Sequence, residues 1–391
     1  MDIYTTTGHP RARPVRAACA ALCSFAAMWV APIPGHALDV SQSELLAEGL
    51  NNPAGIAFAP DGGLYVTEVG NGGPPNADHS NCTFSPPQPA IERCYGETGA
   101  LVRILPGGGF ERVATGLPSL GLPDGGGEGG PVDVSFQGMA AYVTLGWGGN
   151  PADRAGLGPK SHLFGNLVRV TPGGAVQRLA DVAAHEAREN PYGGNVDSNP
   201  YGVLAQPGRR VVADAGANAL IEVATNGQTR TLAVLPALPA VPILGPREPV
   251  PTSVTEGPDG ALYVSQLSAF PFFAGTAPVL RVESDGSGLS TVTAGFTAVV
   301  DIAFDAAGAM YVLEVARGQQ TPFPPPPPNP GLGIGRLLRQ CPGNPVPEVL
   351  VTGLEFARGV AIGPDGAAYF TNRGLSPTTG EVRRLAVASC P

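Results

Sequence analysis

The chain has 391 residues, including 55 Gly and 43 Pro, and only 14% of its residues are charged. A hydrophobic fraction of 43% argues against disorder, so the Gly and Pro residues indicate turns between many short strands. The formal net charge is -9 and basic residues do not interleave with aromatic ones. This excludes nucleic acid as a partner, because phosphate binding needs clustered Lys and Arg.

The first 37 residues have the pattern of a signal peptide. Three Arg residues between positions 11 and 16 precede an apolar run over residues 17–31, and Gly35-His36-Ala37 provides small residues at the two positions that signal peptidase reads. The run is short for a membrane span, which takes roughly 20 apolar residues, and a retained N-terminal anchor is the alternative. We expect cleavage after Ala37, export to the periplasm or the extracellular space, and one domain over residues 38–391.

One pattern recurs six times in the rest of the chain, and we number the copies as repeats 1 to 6. It consists of a Pro or Gly, an alternating apolar strand, a turn that often reads Asp-Gly, and a second strand with Tyr-Val. Two more strand-like segments follow each copy. Period-2 alternation is typical of half-buried strands, and four strands per repeat are typical of propeller blades. Equivalent first-strand positions are Ile56, Val134, Val203, Val254, Ile302 and Val360. The predicted fold is therefore an all-β, six-bladed β-propeller.

The two ends of the chain complement each other. Repeat 6 stops after its third strand, Glu381–Leu385, while Ser43–Leu50 resembles the fourth strand of the other repeats. We expect this N-terminal strand to close the last blade, which leaves no open edge.

The long connections fall on one face. The Asp-Gly turns lie at the bottom of the blades, whereas the connections after each second strand lie on top and are long, as are two links between repeats. Within one of these links, Leu179–Glu189 has helical spacing and predicts a short helix. The run Pro324–Pro328 predicts a stiff polyproline II loop.

Polar residues recur at the top ends of the inner strands. Propeller geometry directs them at the mouth of the central channel, where carboxylates and amides suit a hard cation such as Ca²⁺. The channel-mouth candidates are Glu68, Asp214, Gln266, Glu314 and Asn372 on second strands and Asp133 and Asp301 on first strands. Glu68, Asp214 and Glu314 are the candidate metal ligands. The alternative is that these side chains hydrogen-bond loop backbones or line a water-filled channel. No other cofactor is predicted.

Four cysteines remain after removal of the signal peptide, and they allow three pairings. We favour Cys82 with Cys94 and Cys341 with Cys390, because each bridge then stays local in the repeat map. None of the four has C-x-x-C spacing, so structural disulfides are favoured over a metal site.

The inventory of catalytic groups is small. The mature chain has three histidines and the single lysine Lys160. It lacks a G-x-S-x-G nucleophile elbow, an H-E-x-x-H motif and a Gly-rich phosphate loop. No catalytic residue is assigned.

Six dispersed segments of the mature chain resemble the ScyD/ScyE family of secreted, NHL-like propellers. The matching segments are Asn51–Glu68, Gly149–Gly158, Asp197–Leu204, Val212–Val223, Val250–Phe272 and Pro364–Asn372. The resemblance implies a six-bladed propeller and export, and it carries no catalytic set.

The leading hypothesis is a monomeric binding or scaffold protein whose loop-rich top face and channel mouth take a small molecule, a glycan or a protein. After signal cleavage no integral membrane segment remains. The alternative is an enzyme at the channel mouth, either a metal-dependent lactone or ester hydrolase or a quinone-type sugar dehydrogenase, in which the carboxylates would hold a cation. A third hypothesis is an architectural envelope protein that serves as a rigid spacer.

Overall fold

The computed structural model describes residues 37–85, 91–241, 245–270, 272–316 and 332–390, all within one compact unit. The chain is mostly β, with its strands in a propeller arrangement. The predicted signal peptide, apart from Ala37, and the proline run Pro324–Pro328 lie outside the described residues. Among the residues that are described, no helix has the length and apolarity needed to cross a bilayer.

Repeats 1 and 2 share one nine-stranded sheet. Its order is β11-β10-β9-β8-β7-β6-β4-β3, with β5 paired to β6. The strands up to this point are β1 (Leu38–Asp39), β2 (Glu44–Leu50), β3 (Pro53–Phe58), β4 (Leu64–Glu68), β5 (Cys82–Ser85), β6 (Ile91–Ile104), β7 (Phe110–Gly121), β8 (Gly127–Gln137), β9 (Ala140–Gly146), β10 (Asn166–Val170) and β11 (Val176–Asp181). Two short 3-10 helices occupy Pro151–Arg154 and Ser161–Leu163 in the connection after β9.

Repeats 3 and 4 each form a four-stranded antiparallel sheet. The orders are β12-β13-β14-β15 and β18-β19-β20-β21, and a two-stranded ribbon of β16 and β17 lies between them in the chain. The strands are β12 (Pro200–Gln206), β13 (Arg209–Asp214), β14 (Ala219–Ala224), β15 (Thr229–Val234), β16 (Leu238–Val241), β17 (Gly245–Arg247), β18 (Pro251–Glu256), β19 (Leu262–Gln266), β20 (Ala277–Val282) and β21 (Ser290–Phe296).

Repeats 5 and 6 form the last two sheets, and the N-terminal strands join both. The orders are β1-β25-β24-β23-β22 and β2-β28-β27-β26. The strands are β22 (Val299–Phe304), β23 (Met310–Ala316), β24 (Leu332–Gln340), β25 (Glu348–Glu355), β26 (Val360–Ile362), β27 (Ala368–Asn372) and β28 (Gly380–Leu385). The number of blades depends on whether the nine-stranded sheet counts as one or as two.

Burial follows strand position within each repeat. The second strands β9 and β23 are buried along their whole length, because they lie between two strands of their own sheet and between neighbouring sheets. The outermost strand β21 is mostly exposed. The apolar clusters lie between successive sheets, as where Val211 and Leu220 of repeat 3 pack with Leu262 and Val264 of repeat 4.

The first strands, β3, β8, β12, β18, β22 and β26, surround the channel. Each contacts the next in this order, and β26 contacts β3. Buried hydroxyls join neighbouring repeats: Thr67 Oγ1 donates to the carbonyl oxygen of Val132 at 3.0 Å, and Thr371 Oγ1 donates to that of Ala54 at 3.0 Å. The second bond joins repeat 6 to repeat 1.

The predicted closure by Ser43–Leu50 is confirmed, because β2 pairs antiparallel with β28. A second contact was not predicted: β1 pairs parallel with the outer strand β25 of repeat 5. The 3-10 turn at Val40–Gln42 lies between these two strands, and Arg383 Nη1 donates to the carbonyl oxygens of Val40 and Ser43, each at 3.1 Å. The N-terminal segment therefore fastens two repeats.

The predicted helix and both disulfides are present. Helix α1 (Val182–Glu189) begins later than the sequence pattern suggested, because residues 179–181 belong to β11, where Ala180 and Asp181 pair with β10. The Asp181 side chain caps it by accepting the N–H of Ala184 at 2.9 Å. Cysteine residues 82 and 94 are bonded, and so are residues 341 and 390.

Candidate functional site

Four of the predicted site residues cap the chain segment that leads into their own repeat. Each side-chain oxygen accepts a backbone N–H that lies 15 or 17 residues earlier. The pairs are Glu68 with Asn51 at 2.8 Å, Asp214 with Asn199 at 2.6 Å, Glu314 with Thr297 at 2.8 Å and Asn372 with Glu355 at 2.7 Å. The recurrence of this bond in four repeats supports the alternative in which these side chains hold loop backbones.

Arginines neutralise two of these carboxylates. Arg112 on β7 donates its Nε to Glu68 at 2.6 Å and its Nη2 at 2.9 Å, and Arg336 on β24 donates its Nε to Glu314 at 2.5 Å. The bond to Glu68 raises the pKa of Arg112, and burial raises the pKa of Glu314. Both carboxylates are fully buried, and each is already paired with a cation of the protein itself.

Asp214 is held by four neutral donors. Ser198 Oγ donates to Oδ2 at 2.7 Å, while the backbone N–H groups of Asn199, Gly216 and Ala217 donate to Oδ1 at 2.6, 3.1 and 3.1 Å. Burial raises the pKa of Asp214 to about 6, against the lowering effect of these bonds. The side chain organises the turn that follows β13.

Gln266 occupies the equivalent position in repeat 4 but does not form this cap. Its Nε2 donates to the carbonyl oxygen of Pro278 at 3.1 Å, and its buried Oε1 has no hydrogen-bond partner among the described residues. Two residues later, the Ser268 hydroxyl is also buried without a partner in the described part of the chain, on a backbone with φ of 60°.

The candidate metal ligands at the ends of β4, β13 and β23 are not brought together. Among the described residues, one trio of His, Cys, Asp or Glu side chains has its ligand atoms within 4.8 Å of one another, namely His79, Cys82 and Glu92. Cys82 is bonded to Cys94, and His79 Nδ1 lies 2.7 Å from Glu92 Oε1. This trio is a polar pair beside a disulfide, and metal binding at the strand ends stays a prediction.

Asp133 and Asp301 lie on first strands and make matching contacts. In each, Oδ1 accepts the N–H of the following residue and Oδ2 accepts an N–H from the first strand of the next repeat, all at 2.8 Å. The donors are Val134 and Val203 for Asp133, and Ile302 and Val360 for Asp301. The two carboxylates therefore bridge repeats 2 and 3 and repeats 5 and 6.

When this pair is ionised, no basic side chain in the described part of the chain balances its charge. Burial raises the pKa of both carboxyls, and the negative charge of Asp301 raises that of Asp133 further. Neither has an arginine or lysine within ion-pair distance in the described part of the chain, in contrast to Glu68 and Glu314. Buried carboxylates of this kind hold a proton or attract a cation.

The first strands of repeats 1 and 2 approach each other closely beside Asp133. A Cβ at Gly55, which occupies the position equivalent to Asp133 in repeat 1, would lie 2.4 Å from Asp133 Oδ1. Only glycine fits there. As whole residues, Asp133 and Asp301 are nevertheless of intermediate exposure.

A further carboxylate cluster beneath α1 was not predicted. Glu186 is 2% exposed, and its Oε2 has no hydrogen-bond partner among the described residues. Burial, with the charge of Asp214 as the second cause, raises the pKa of Glu186 to about 7. Asp197 lies close enough to contribute, and it accepts the N–H of Gly149 at 2.7 Å. The helical pattern gave no indication that this side chain points inward.

Comparison with known proteins supports the fold and no more. No family model and no curated protein matches the chain. A structural genomics protein of unknown function from Bacteroides thetaiotaomicron matches with 10% identity, 88% of this chain and 75% of that chain covered, and a TM-score of 0.50. Streptogramin B lyase matches with 13% identity and a TM-score of 0.45, and the match covers 88% of this chain and 97% of that chain. Regucalcin from Agrobacterium tumefaciens, described as a calcium-binding protein, matches with 12% identity and a TM-score of 0.45. The match covers 89% of this chain and 97% of that chain. These structures are NHL-like β-propellers, and at such identities the likeness concerns the propeller fold alone.

Proposed function

We propose that this chain is an exported six-bladed β-propeller of the ScyD/ScyE type that binds a cationic ligand in its channel and serves as a binding or scaffold protein. The count of six treats the nine-stranded sheet as two blades of four strands, with β5 as an additional strand paired to β6. This division is supported by the short pairing of β7 with β8, and by the order in which the six first strands contact one another around the channel.

The pair Asp133 and Asp301 carries the proposal. The other predicted acidic residues have protein partners: Glu68 and Glu314 are paired with arginines, and Asp214 accepts four hydrogen bonds. Two neighbouring aspartates without a basic partner place negative charge close together when both are ionised. A cation with oxygen-seeking chemistry would balance that charge, and Asp133 and Asp301 would hold it.

Calcium titration tests the channel site. We expect isothermal titration calorimetry to show calcium binding to the purified protein, and binding at least tenfold weaker in the double variant Asp133→Asn/Asp301→Asn. The control is Asp259→Asn, which alters an exposed aspartate bonded to Arg281 on a bottom turn. The cation proposal fails if the wild type does not bind calcium, or if the double variant binds it as the wild type does.

Export and domain limits form a separate part of the proposal. Two disulfides support an oxidising compartment. We expect N-terminal sequencing of protein recovered from the periplasm or medium to begin at Leu38. Recovery with residues 1–37 attached, in the membrane fraction, would instead indicate a retained anchor.

A second candidate is hydrolysis of a lactone or ester in the same channel, and one observation favours it. The charge of Asp301 raises the pKa of Asp133, and two buried carboxyls that interact in this way can share one proton and divide the roles of acid and base. Turnover of a chromogenic ester that is lost in Asp133→Asn but kept in Asp259→Asn would support the enzyme. Equal turnover in all three proteins would exclude the pair as its centre.

A further inference from the structure

A pocket of about 290 Å³ lies between repeats 2 and 3, at the ends of the strands where the tight turns are. It is separate from the channel pair. Its polar lining is basic and contains no carboxylate. The residues that line it include Tyr142, Arg169, Gln177, Arg178, Arg210 and Thr225. Three guanidinium groups thus share one small pocket in a chain whose net charge is -9.

Arg210 is the buried member of this group. It is 4% exposed, and its guanidinium carbon lies 3.8 Å from the centre of the Tyr142 ring. Its Nη2 donates to the Tyr142 hydroxyl, but Nε and Nη1 are buried without a hydrogen-bond partner among the described residues. A buried guanidinium with two unused donors is unfavourable unless an acceptor joins it.

Arg169 is conspicuous when the repeats are compared. In five repeats a tyrosine of the second strand pairs across the sheet with an arginine of the third strand. In four of them that arginine also has a carboxylate partner: Arg103 with Asp61, Arg281 with Asp259, Arg339 with Glu348, and Arg384 with Asp365. Arg169 pairs with Tyr142 in the same way, yet it has no ion pair in the described part of the chain.

In repeats 1, 4 and 6 the carboxylate partner is a turn aspartate, whereas in repeat 5 it is Glu348 of the outer strand β25. In repeats 1, 4, 5 and 6, five-residue turns connect the first two strands, and each contains an aspartate. Repeats 2 and 3 have two-residue turns, Gly138-Met139 and Pro207-Gly208, without an acidic residue. No turn aspartate is therefore available on this side of repeats 2 and 3. Arg178 adds charge at the rim, where its nearest carboxylate, Asp181, is 4.0 Å away.

We infer that this pocket binds an oxyanion, a phosphate or sulfate group that is either free or ester-linked to a small molecule. Guanidinium groups present parallel N–H donors that match the oxygens of such groups. The guanidinium of Arg210 supplies charge at the buried end of the pocket, and Arg169 and Arg178 supply charge at the opening. The volume is at the lower end of ligand pockets, which suits one such group with at most a sugar attached.

Phosphorus NMR and calorimetric titrations test the inference with inorganic phosphate, inorganic sulfate and glucose 6-phosphate as probes. We expect saturable binding to the wild type, and binding at least tenfold weaker in Arg169→Ala/Arg178→Ala, whose changes lie at exposed positions. The matched control is Arg103→Ala, the equivalent of Arg169 in repeat 1, where Asp61 lies 3.8 Å away. Arg210→Lys keeps the buried charge but lacks the planar fork, and we expect it also to bind more weakly.

The anion titrations either support or overturn the oxyanion pocket. Weaker binding in the double variant with normal binding in Arg103→Ala supports the pocket. Preference for glucose 6-phosphate over the free ions indicates an ester-linked group, and the reverse order indicates a free anion. Absence of binding to the wild type, or equal binding by all variants, overturns the inference. Failure of calcium binding in the channel would leave this result unaffected.

Discussion

Exchanging Asp214 for Ala and for Asn separates hydrogen bonding from charge. Asp214→Ala leaves the N–H groups of Asn199, Gly216 and Ala217 without an acceptor in a fully buried site. An unsatisfied buried donor costs about 1–3 kcal/mol, so the three groups predict a loss of at least about 3 kcal/mol in unfolding free energy. Asp214→Asn keeps Oδ1 as the acceptor, and its new amide can donate to the Ser198 hydroxyl, so we expect a loss below about 1 kcal/mol.

Both variants also differ from the wild type in their dependence on pH. Burial raises the pKa of Asp214 to about 6 from an ordinary value of 3.8, so the folded protein holds a proton that the unfolded chain has released between these values. The stability of the wild type therefore falls as pH rises through this window. The stability of Asp214→Asn does not fall for this reason, because the asparagine side chain does not titrate. At about 1.4 kcal/mol per pK unit, Asp214→Asn should gain about 2–3 kcal/mol relative to the wild type between pH 4 and pH 7.

Urea unfolding at pH 4 and pH 7 measures both the loss of hydrogen bonds and the dependence on pH. The comparison requires that the slope of unfolding free energy against urea concentration is the same in each protein. Asp259→Asn serves as the control, because its exposed carboxylate has a lowered pKa and should show no gain over this range. Equal losses in Asp214→Ala and Asp214→Asn would refute the role of the hydrogen bonds. A relative stability of Asp214→Asn that does not rise with pH would refute burial as the source of the raised pKa.

Three further predictions concern how the ring is held together. Cys341→Ser/Cys390→Ser removes a disulfide that spans 49 residues and should lower the free energy of unfolding by about 4 kcal/mol. Cys82→Ser/Cys94→Ser removes one that spans 12 residues and should lower it by about 3 kcal/mol. Urea unfolding measures both losses. Thr371→Val removes the bond between repeats 6 and 1 and should cost about 1 kcal/mol, as should Thr67→Val, whereas a neutral effect would mean that neither bond contributes. Arg383→Met should speed amide hydrogen exchange over residues 38–42 while β23 stays protected, and unchanged exchange would show that Arg383 does not fasten the segment.

Much of the fold follows from local sequence. Alternating apolar residues and turn residues lie within a few positions of one another, so the strands, the closing segment Ser43–Leu50 and the helix near Leu179–Glu189 could all be predicted. Pairing of the cysteines within the repeat map followed from the same local order. The parallel pairing of β1 with β25 could not be predicted, because a two-residue strand has no periodicity.

The state of the candidate site was harder to predict, because partners decide it and partners are distant in sequence. The strand-end position of Glu68 was readable, but Arg112 lies 44 residues later and carries no local signal that it will neutralise that carboxylate. The same holds for Arg336 and Glu314, 22 residues apart. Residue type and repeat position therefore identified equivalent polar side chains on the inner strands without revealing which of them have a charged partner.

Repeats 1 and 2 differ in the turn beside the equivalent residues Arg103 and Arg169, and this difference suggests a further test of the oxyanion pocket. The test gives Arg169 the carboxylate partner that Arg103 already has. Replacing residues 137–140 with a copy of residues 59–63 installs the aspartate turn of repeat 1 beside Arg169. The graft should preserve folding, since this turn already joins equivalent strands in repeat 1, and thermal unfolding measures that. We expect phosphate binding to weaken at least tenfold, because the new carboxylate occupies the guanidinium that the anion needs. A copy of the graft with Asn in place of its aspartate should bind phosphate as the wild type does. If both grafts bind equally well, the missing carboxylate of repeat 2 has no part in forming the pocket.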